Sequence, residues 1–401
     1  MPRFLTLDDV DVRGKTVLVR ADLNVPMRDG TVTDTTRIDR FAPTARELAE
    51  KGAKVLILSH FGRPGGEVVE KYSLKHIMDA LCDALGGPLG FCTLETAGDV
   101  LAGADAGSIT VMENTRFHAG ETANDTDLAR QLADLGDIYV HDAFSCAHRA
   151  HASTEGVARL MPAVAGRLMQ AELQALEQAL GQPVRPAMAV VGGAKVSTKL
   201  QVLENLVTKV DALVLGGGMA NTFLKAKGGK LGASLVEDSM LEDARRIMAA
   251  AEAAGCEILL PEDGVAASEL SPNPTTSLVD TSSVPDGLSL FDVGPRAAAG
   301  LVSKVLEMKT VLWNGPLGVF EVSPFDTATT MVAEAVAEAT QRDGLISVGG
   351  GGDTLSALAH AGVSEHFTYL SSAGGAFLEW LEGKTLPGVA ALEQAAKATA
   401  E

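Results

Sequence analysis

Short β-branched runs alternate with longer Ala-, Leu- and Glu-rich stretches along nearly the whole chain. In the first half the runs are Thr16–Arg20, Lys54–Ser59, Ile109–Met112 and Ile138–Val140. In the second they are Ala187–Val191, Ala212–Leu215, Glu257–Leu260, Thr310–Trp313 and Leu345–Val348. Strands separated by helical segments read as a parallel sheet covered by helices on both faces. A chain of 401 residues exceeds one ordinary core, so two such domains are expected. The fold class is therefore α/β, with two doubly wound, Rossmann-like parallel-sheet domains. Leu168, Leu173, Leu176 and Leu180 give an amphipathic pattern over Ala163–Leu180, broken by Gly181-Gln182-Pro183. This pattern predicts a helix joining the halves, and the boundaries drawn are 1–165, 166–182, 183–380 and a tail of 381–401. The Ala-rich stretch from Ala390 reads as helical.

The formal net charge is −19. A nucleic-acid binder would show a basic footprint instead, so no nucleic-acid partner is expected. No run of about 18 apolar residues exists to span a membrane, and the start, MPRFLTLDDVDVRG, has no signal-peptide core. Cys82, Cys92, Cys146 and Cys256 lack C-x-x-C spacing. Their scatter points to reduced thiols in a cytoplasmic setting and away from zinc. Small anionic ligands remain compatible with the overall charge, because screening over about 8 Å lets a local arginine cluster outweigh distant acids.

Such a cluster is present. In α/β sheets ligands bind beyond the carboxyl ends of the strands, and the unusual polar residues fall there. VRADLNVP carries Arg20, Asp22 and Asn24; DTTRIDR carries Arg37; SHFGRP carries His60 and Arg63; MENTRF carries Arg116. Val140–Ser153, VHDAFSCAHRAHAS, packs Arg149, three histidines and Asp142 into one loop. Any single arginine reads by default as a solvated surface charge. Five at or near strand exits read as a basket, because guanidinium binds phosphate and carboxylate bidentately and stays charged. Asp22 and Asn24 add acceptors for a hydroxyl, so the basket suits a small hydroxylated acid bearing phosphate.

The second half has three glycine-rich strand exits: VVGGAK, LGGGMAN with Gly216 and Gly217, and VGGGGDT with Gly351, Gly352, Asp353 and Thr354. Glycine lets backbone approach a phosphate with its N–H free. Lys195 and Lys199 lie four apart and are read as opening a helix. There, helical spacing puts both ammonium groups on one face beside the positive N-terminus, a conflict that an anion resolves. Asp353 reads equally as a magnesium ligand or as a helix N-cap. WNGPLGVFE contributes Asn314 and Glu321, and Glu321 reads either as a ribose ligand or as a surface acid. No complete G-x-x-x-x-G-K-[ST], G-x-G-x-x-G or H-R-D motif occurs, which excludes a P-loop ATPase and a protein kinase and argues against a dinucleotide domain.

Taken in order, VRADLNVP, SHFGRP, MENTRF, VHDAFSCAHRAHAS, GGAKVSTK, GGGMANTF, WNGPLGVFE, GGGGDT and SSAGGAFLEWLEGKTLPGV resemble the phosphoglycerate kinase family over essentially the whole chain. The resemblance implies a monomeric, cytoplasmic, glycolytic enzyme of two domains. It implies reversible magnesium-dependent phosphoryl transfer between 1,3-bisphosphoglycerate and ADP, giving 3-phosphoglycerate and ATP. Carried over residue by residue, Asp22, Asn24, Arg37, His60, Arg63, Arg116 and Arg149 would hold 3-phosphoglycerate. Lys195 and Lys199 would join Arg37 on the transferring group. Lys199, Gly216, Gly217, Asn314, Glu321, Gly351, Gly352, Asp353 and Thr354 would hold ATP or ADP, with Asp353 on Mg2+. The tail would pack back on the N-terminal domain. Ser145-Cys146 stand where Gly-Thr is common, His141 where Asn is frequent, and Ala373 interrupts a frequent triple glycine. A nicotinamide dehydrogenase would need the missing fingerprint. A non-catalytic binding protein for sugar-acid phosphates would leave Lys195, Lys199 and Asp353 unexplained.

Overall fold

The computed structural model describes residues 4–400. The chain forms two compact units. One runs to Leu173 and takes up the chain again from Thr385; the other spans Gln174–Lys384.

The first unit is built on six parallel strands: β1 (Thr16–Arg20), β2 (Lys54–Leu58), β3 (Gly90–Cys92), β4 (Ile109–Met112), β5 (Ile138–His141) and β6 (Ala163–Ala165). Their spatial order is β3-β4-β2-β1-β5-β6. Strands β1, β2 and β5 are buried along nearly their full length, as a sheet covered on both faces requires. Helix Thr36–Glu50 turns Ile38, Phe41, Ala42, Ala45 and Leu48 inward at steps of three and four, and they pack with Val17 and Val19 of β1.

The second unit has its own parallel sheet: β7 (Ala187–Val191), β8 (Ala212–Leu215), β9 (Glu257–Leu259), β10 (Thr310–Asn314), β11 (Ile346–Gly350) and β12 (Tyr369–Ser371). The order is β9-β8-β7-β10-β11-β12, the doubly wound order of Rossmann folds. Helices Pro295–Glu307 and Thr327–Asp343 cover one face through Ala298, Leu301 and Val305 and through Val332, Ala333 and Val336.

Strand order reverses between β1 and β5 in one sheet and between β7 and β10 in the other. Loops leave adjacent strands in opposite directions there, which opens a crevice at the carboxyl ends. The four edge strands β3, β6, β9 and β12 have three residues each. Short edges limit unwanted pairing with other chains.

The structure corrects one expectation. Ala163–Ala165 is not the start of the joining helix; it pairs with Tyr139–His141 as β6. The α-helix begins at Arg167, runs to Leu176 and continues as a wider π-type turn over Glu177–Gly181. The boundary between units falls inside that helix, after Leu173. Beside its parallel sheet the second unit also carries a small antiparallel one. Asp263–Ala267 pairs antiparallel with Ser277–Asp280 and Ser289–Val293, where no helix intervenes to force a crossover. The tail, helix Pro387–Ala400, lies on β6, and the Gly388 amide donates to Ala147 O at 2.9 Å.

At the second switch point the backbones of two strand exits touch. A Cβ on Gly192 would lie 1.7 Å from Pro316 O, and Gly315, at φ +110°, would place one 2.3 Å from Gly192 O. Neither neighbour can retreat without unpairing β7 and β10. Gly192→Ala is therefore expected to destabilise the second unit by about 3 kcal/mol or more, beyond ordinary overpacking. A lowered denaturant midpoint for that unit is the check; an unchanged midpoint would show that the contact yields.

Candidate active site

In the first unit β1 delivers Arg20, whose side chain is buried although it carries a full charge (1% exposed). Its Nε donates to Ser153 Oγ at 2.9 Å, Nη1 to Ala21 O, and Nη2 to His60 Nδ1 at 3.1 Å. Arginine only donates, so His60 accepts on Nδ1 and carries its proton on Nε2. Burial, reinforced by Arg20, holds the His60 imidazole well below its ordinary value, so the ring is neutral.

Ser153 passes Arg20 on to Glu121, which is fully buried. Glu121 accepts from Ser153 N at 2.9 Å and Ser153 Oγ at 2.6 Å, and from Thr115 Oγ1 at 3.3 Å. His151 Nδ1 lies 3.9 Å from the same carboxylate, yet burial keeps that imidazole down at about 4. Asn114 fixes the neighbouring loop. Its Oδ1 accepts from Phe61 N and Arg116 N, and its Nδ2 donates to Phe61 O and Tyr72 O. Arg116 is thereby held over Gly62 O at 2.7 Å, with its Nε buried and unpartnered.

Asp22 is the carboxylate at the mouth. Its Oδ2 accepts from Arg37 Nη1 at 2.7 Å and from Ser145 Oγ, and its Oδ1 from Asn24 N at 3.2 Å. Burial pushes this carboxyl up, but the cationic and hydroxyl neighbours outweigh it and leave it below the usual range. Asn24 Oδ1 accepts from Gly62 N at 2.9 Å. Arg149 donates to His148 Nε2 at 3.1 Å. Arg63 stands exposed with no hydrogen bond or ion pair to the described residues.

The basket carries excess positive charge. Burial, then Arg149 and Arg20, depress even the Arg116 guanidinium, and the same arginines depress His60 and His151. A buried, incompletely partnered Arg116 beside Arg20 and Arg149, in a chain of net charge −19, describes a site prepared for an anion. Asp22, His60 and Cys146 each place one ligand-type atom within 4.8 Å of the others. Arg20 lies against two of the three, which makes a metal ion there unfavourable.

In the second unit backbone replaces side chains. Gly216 N donates to Val191 O and Gly217 N to Leu317 O, which starts helix Gly217–Ala226 beside the β7 exit. Asn314 is buried; its Nδ2 donates to Gly350 O at 2.7 Å, while its Oδ1 is buried and unpartnered. Thr354 Oγ1 accepts from Gly315 N and donates to Gly350 O, both at 2.8 Å. Gly351 has φ +100° and precedes helix Gly352–His360. Asp353 occupies the first turn of that helix, exposed and free of hydrogen bonds among the described residues, so it is not the N-cap.

The lysines do not share a helical face. The helix opens only at Leu200, and Lys195 stands exposed in the preceding loop. That loop is pinned by Glu237, which accepts from Ser197 N and Oγ. Lys199 reaches back to Gly192 O at 2.7 Å and Asn314 O at 2.9 Å. Burial draws its ammonium down to about 8, against the opposing pull of Asp353. Glu321 is exposed and no bond to a described residue ties it to this cluster.

The sequence alone does not single out Glu121, Ser153 or Asn114, and it marks Ser145 only as a departure from the family pattern. Asn114 sat within a motif already noted, MENTRF. Glu121 offers no sequence signal of burial, since an isolated acid reads as surface.

The chain matches the family model described as phosphoglycerate kinase over residues 7–384. It is 59% identical over 392 residues to the phosphoglycerate kinase of Rhodospirillum centenum, covering 97% of this chain and 99% of that protein. It is 56% identical over 399 residues to that of Agrobacterium fabrum, covering 98% of this chain and all of that one. The solved structure of phosphoglycerate kinase from Coxiella burnetii superposes with a TM-score of 0.92 at 42% identity, over 98% of this chain and 99% of that one.

Glu121→Ala would strand buried donors of Ser153 and leave Arg20 without its counter-charge. An unsatisfied buried donor costs about 1–3 kcal/mol. The thermal midpoint of the first unit is expected to fall accordingly and 3-phosphoglycerate affinity to fall with it. Wild-type values for both would remove Glu121 from the account of the basket.

Proposed function

Given that this chain belongs to the phosphoglycerate kinase family and transfers a phosphoryl group reversibly between 1,3-bisphosphoglycerate and ADP, we propose which of its residues perform that transfer. The reading rests on one observation above all: arginines gathered in the first unit without enough carboxylates to neutralise them, with the Arg116 Nε buried and unpartnered beside Arg20 and Arg149. A doubly anionic acid such as 3-phosphoglycerate supplies the missing charge. Arg63, Arg116 and Arg149 are read as holding its phosphate, with Asp22, Asn24 and His60 taking its hydroxyl and fixing its orientation. His60 suits this role as a neutral Nε2–H donor.

The backbone amides around Gly216, Gly217, Gly351 and Gly352 and the side chains of Asn314, Lys199 and Thr354 are read as the nucleotide cradle. Glu321 is assigned to the ribose. The exposed, unbonded carboxylate of Asp353 beside Lys199 fits a hard divalent cation. Asp353 would hold Mg2+, which when bound neutralises phosphate charge and orients the chain of phosphates.

Written from 3-phosphoglycerate and ATP, a carboxylate oxygen forms a bond to the γ-phosphorus while the bond from that phosphorus to the β,γ-bridging oxygen breaks. The acceptor is already ionised, so no residue has to take a proton. Catalysis then reduces to in-line placement and neutralising charge on the moving group. Arg37 from the first unit and Lys195 and Lys199 from the second are assigned that charge. Two half-sites on two units call for closure that brings them together and excludes water. We read the enzyme as a cytoplasmic monomer, in keeping with four free cysteines.

Mixing the protein with 3-phosphoglycerate, MgATP and an NADH-coupled reductase tests the reading directly. A sugar-acid-phosphate binding protein would bind without turnover. In the same assay Arg37→Ala is expected to cut turnover by about 10³–10⁵-fold, the range for comparable arginines, while MgATP binding changes little. Near-normal turnover would remove Arg37 from the transition state.

Lys199 supplies a pH signature. Phosphate favours the ammonium form, which the free site loses above about pH 8. Nucleotide affinity should fall as pH rises through that value, and binding at about pH 9 should take up a proton. Calorimetry in buffers of different ionisation heat measures the uptake, and Lys199→Met should abolish it. Equal uptake in both proteins would assign the proton elsewhere.

A further inference from the structure

Among the described residues, Asp22 is the only side-chain carboxylate of the basket that bonds an arginine there directly. Arg20 and Arg116 lean on the carbonyls of Ala21 and Gly62. Arg37 leans on Asp22 Oδ2 at 2.7 Å and on Asn24 O at 3.2 Å. If Arg37 turns its charge to a moving phosphoryl group, Asp22 loses its strongest partner. Its other oxygen has only the 3.2 Å bond from Asn24 N. A carboxylate so loosely held would turn with the departing guanidinium, or take up a proton.

One group prevents both. Ser145 Oγ donates to the same oxygen, Oδ2, from the loop after β5, across 123 residues of sequence. The donor sits in a short helical turn, Phe144–Cys146, whose flanks Phe144 and Cys146 are buried. Its backbone is therefore held by packing on either side of it, independently of the carboxylate. We propose that Ser145 is a positioning residue for the phosphoryl transfer: its hydroxyl clamps the Asp22 carboxylate so that Arg37 can leave it. Ser145 stands where the family resemblance leads one to expect glycine. The inference rests on the assignment of Asp22 and Arg37 to the substrate site.

The experiment uses the full-length enzyme in the 3-phosphoglycerate and MgATP direction, with Ser145→Ala, Ser145→Thr, Asp22→Asn and the Ser145→Ala/Asp22→Asn pair. Ser145→Ala should lower kcat/KM for 3-phosphoglycerate by about tenfold, the size of one hydrogen bond to a charged group. KM for MgATP should stay at the wild-type value, and Ser145→Thr, which keeps the hydroxyl, should recover most of the loss. In the Asp22→Asn background Ser145→Ala should add nothing, because a group acting through Asp22 has no effect once the carboxylate is gone.

The acid limb of kcat/KM should also move. His60, Arg37 and Arg20 face Asp22 in both proteins, so the difference isolates the hydroxyl. Losing a donor to the ionised carboxylate lets it protonate earlier, and the limb should shift to higher pH in Ser145→Ala. Full kcat/KM in Ser145→Ala, an unshifted limb, or an equal loss in the Asp22→Asn background would each overturn the proposal. If Asp22→Asn alone left 3-phosphoglycerate kinetics untouched, the assignment of the basket would fail instead, so the two failures are distinguishable. Should Ser145→Ala fold poorly, the Ser145→Thr limb decides: loss of activity with the hydroxyl retained counts against the clamp.

Discussion

A guanidinium sealed from water governs the first unit. Burying a charge is unfavourable unless its donors are satisfied and its field is answered. Arg20 meets both conditions locally. Its donors are taken by Ser153, Ala21 and His60, and the fully buried Glu121 answers its charge through Ser153. These partners come from β1, from the loop after β2, and from the loops after β4 and β5. The buried ion therefore ties four strand exits into one surface, and it also fixes the tautomer of His60. What remains on that surface is Arg37, Arg63, Arg116 and Arg149, whose charges Arg20 and Glu121 do not cancel.

The second unit solves the same problem differently. Its exits are stitched by main chain: Gly192 N to Asn314 O, Gly216 N to Val191 O, and Gly217 N to Leu317 O. Side chains serve mainly to hold carbonyls, as Lys199, Asn314 and Thr354 do. A surface of amides reads phosphate oxygens by position and geometry. A surface of guanidiniums reads them by charge. On the proposed assignment, the division matches the two ligands, a compact acid on one side and an extended phosphate chain on the other.

The long, buried strands and the chemistry at their ends were legible because both depend on residue type. β-branched runs of four or five residues, and arginines or glycines directly after them, stand out from background. The edge strands were not legible, since three residues such as Ala163–Ala165 carry no periodicity, and their pairing is decided by the neighbour already in place. The spacing of Lys195 and Lys199 misled for a similar reason. The carbonyls of Gly192 and Asn314 hold Lys199 before the helix begins, and nothing in the local sequence marks those acceptors. Glu121 and Ser145 matter through contacts with Ser153 and Asp22, 32 and 123 residues away, which no local pattern contains.

The return of the chain to its first unit has a consequence for biosynthesis. The helix on β6 begins at Pro387, and the amide of Gly388 closes on Ala147 O within the loop that carries Ser145 and Arg149. Every residue of the second unit is translated before that amide exists. The nascent first unit must therefore wait, with the loop after β5 unbuttressed and β6 uncovered, while more than half of the chain emerges behind it. Closure of the loop after β5 on Gly388 is in this way coupled to completion of the second unit, and a chain arrested before residue 385 would lack that buttress.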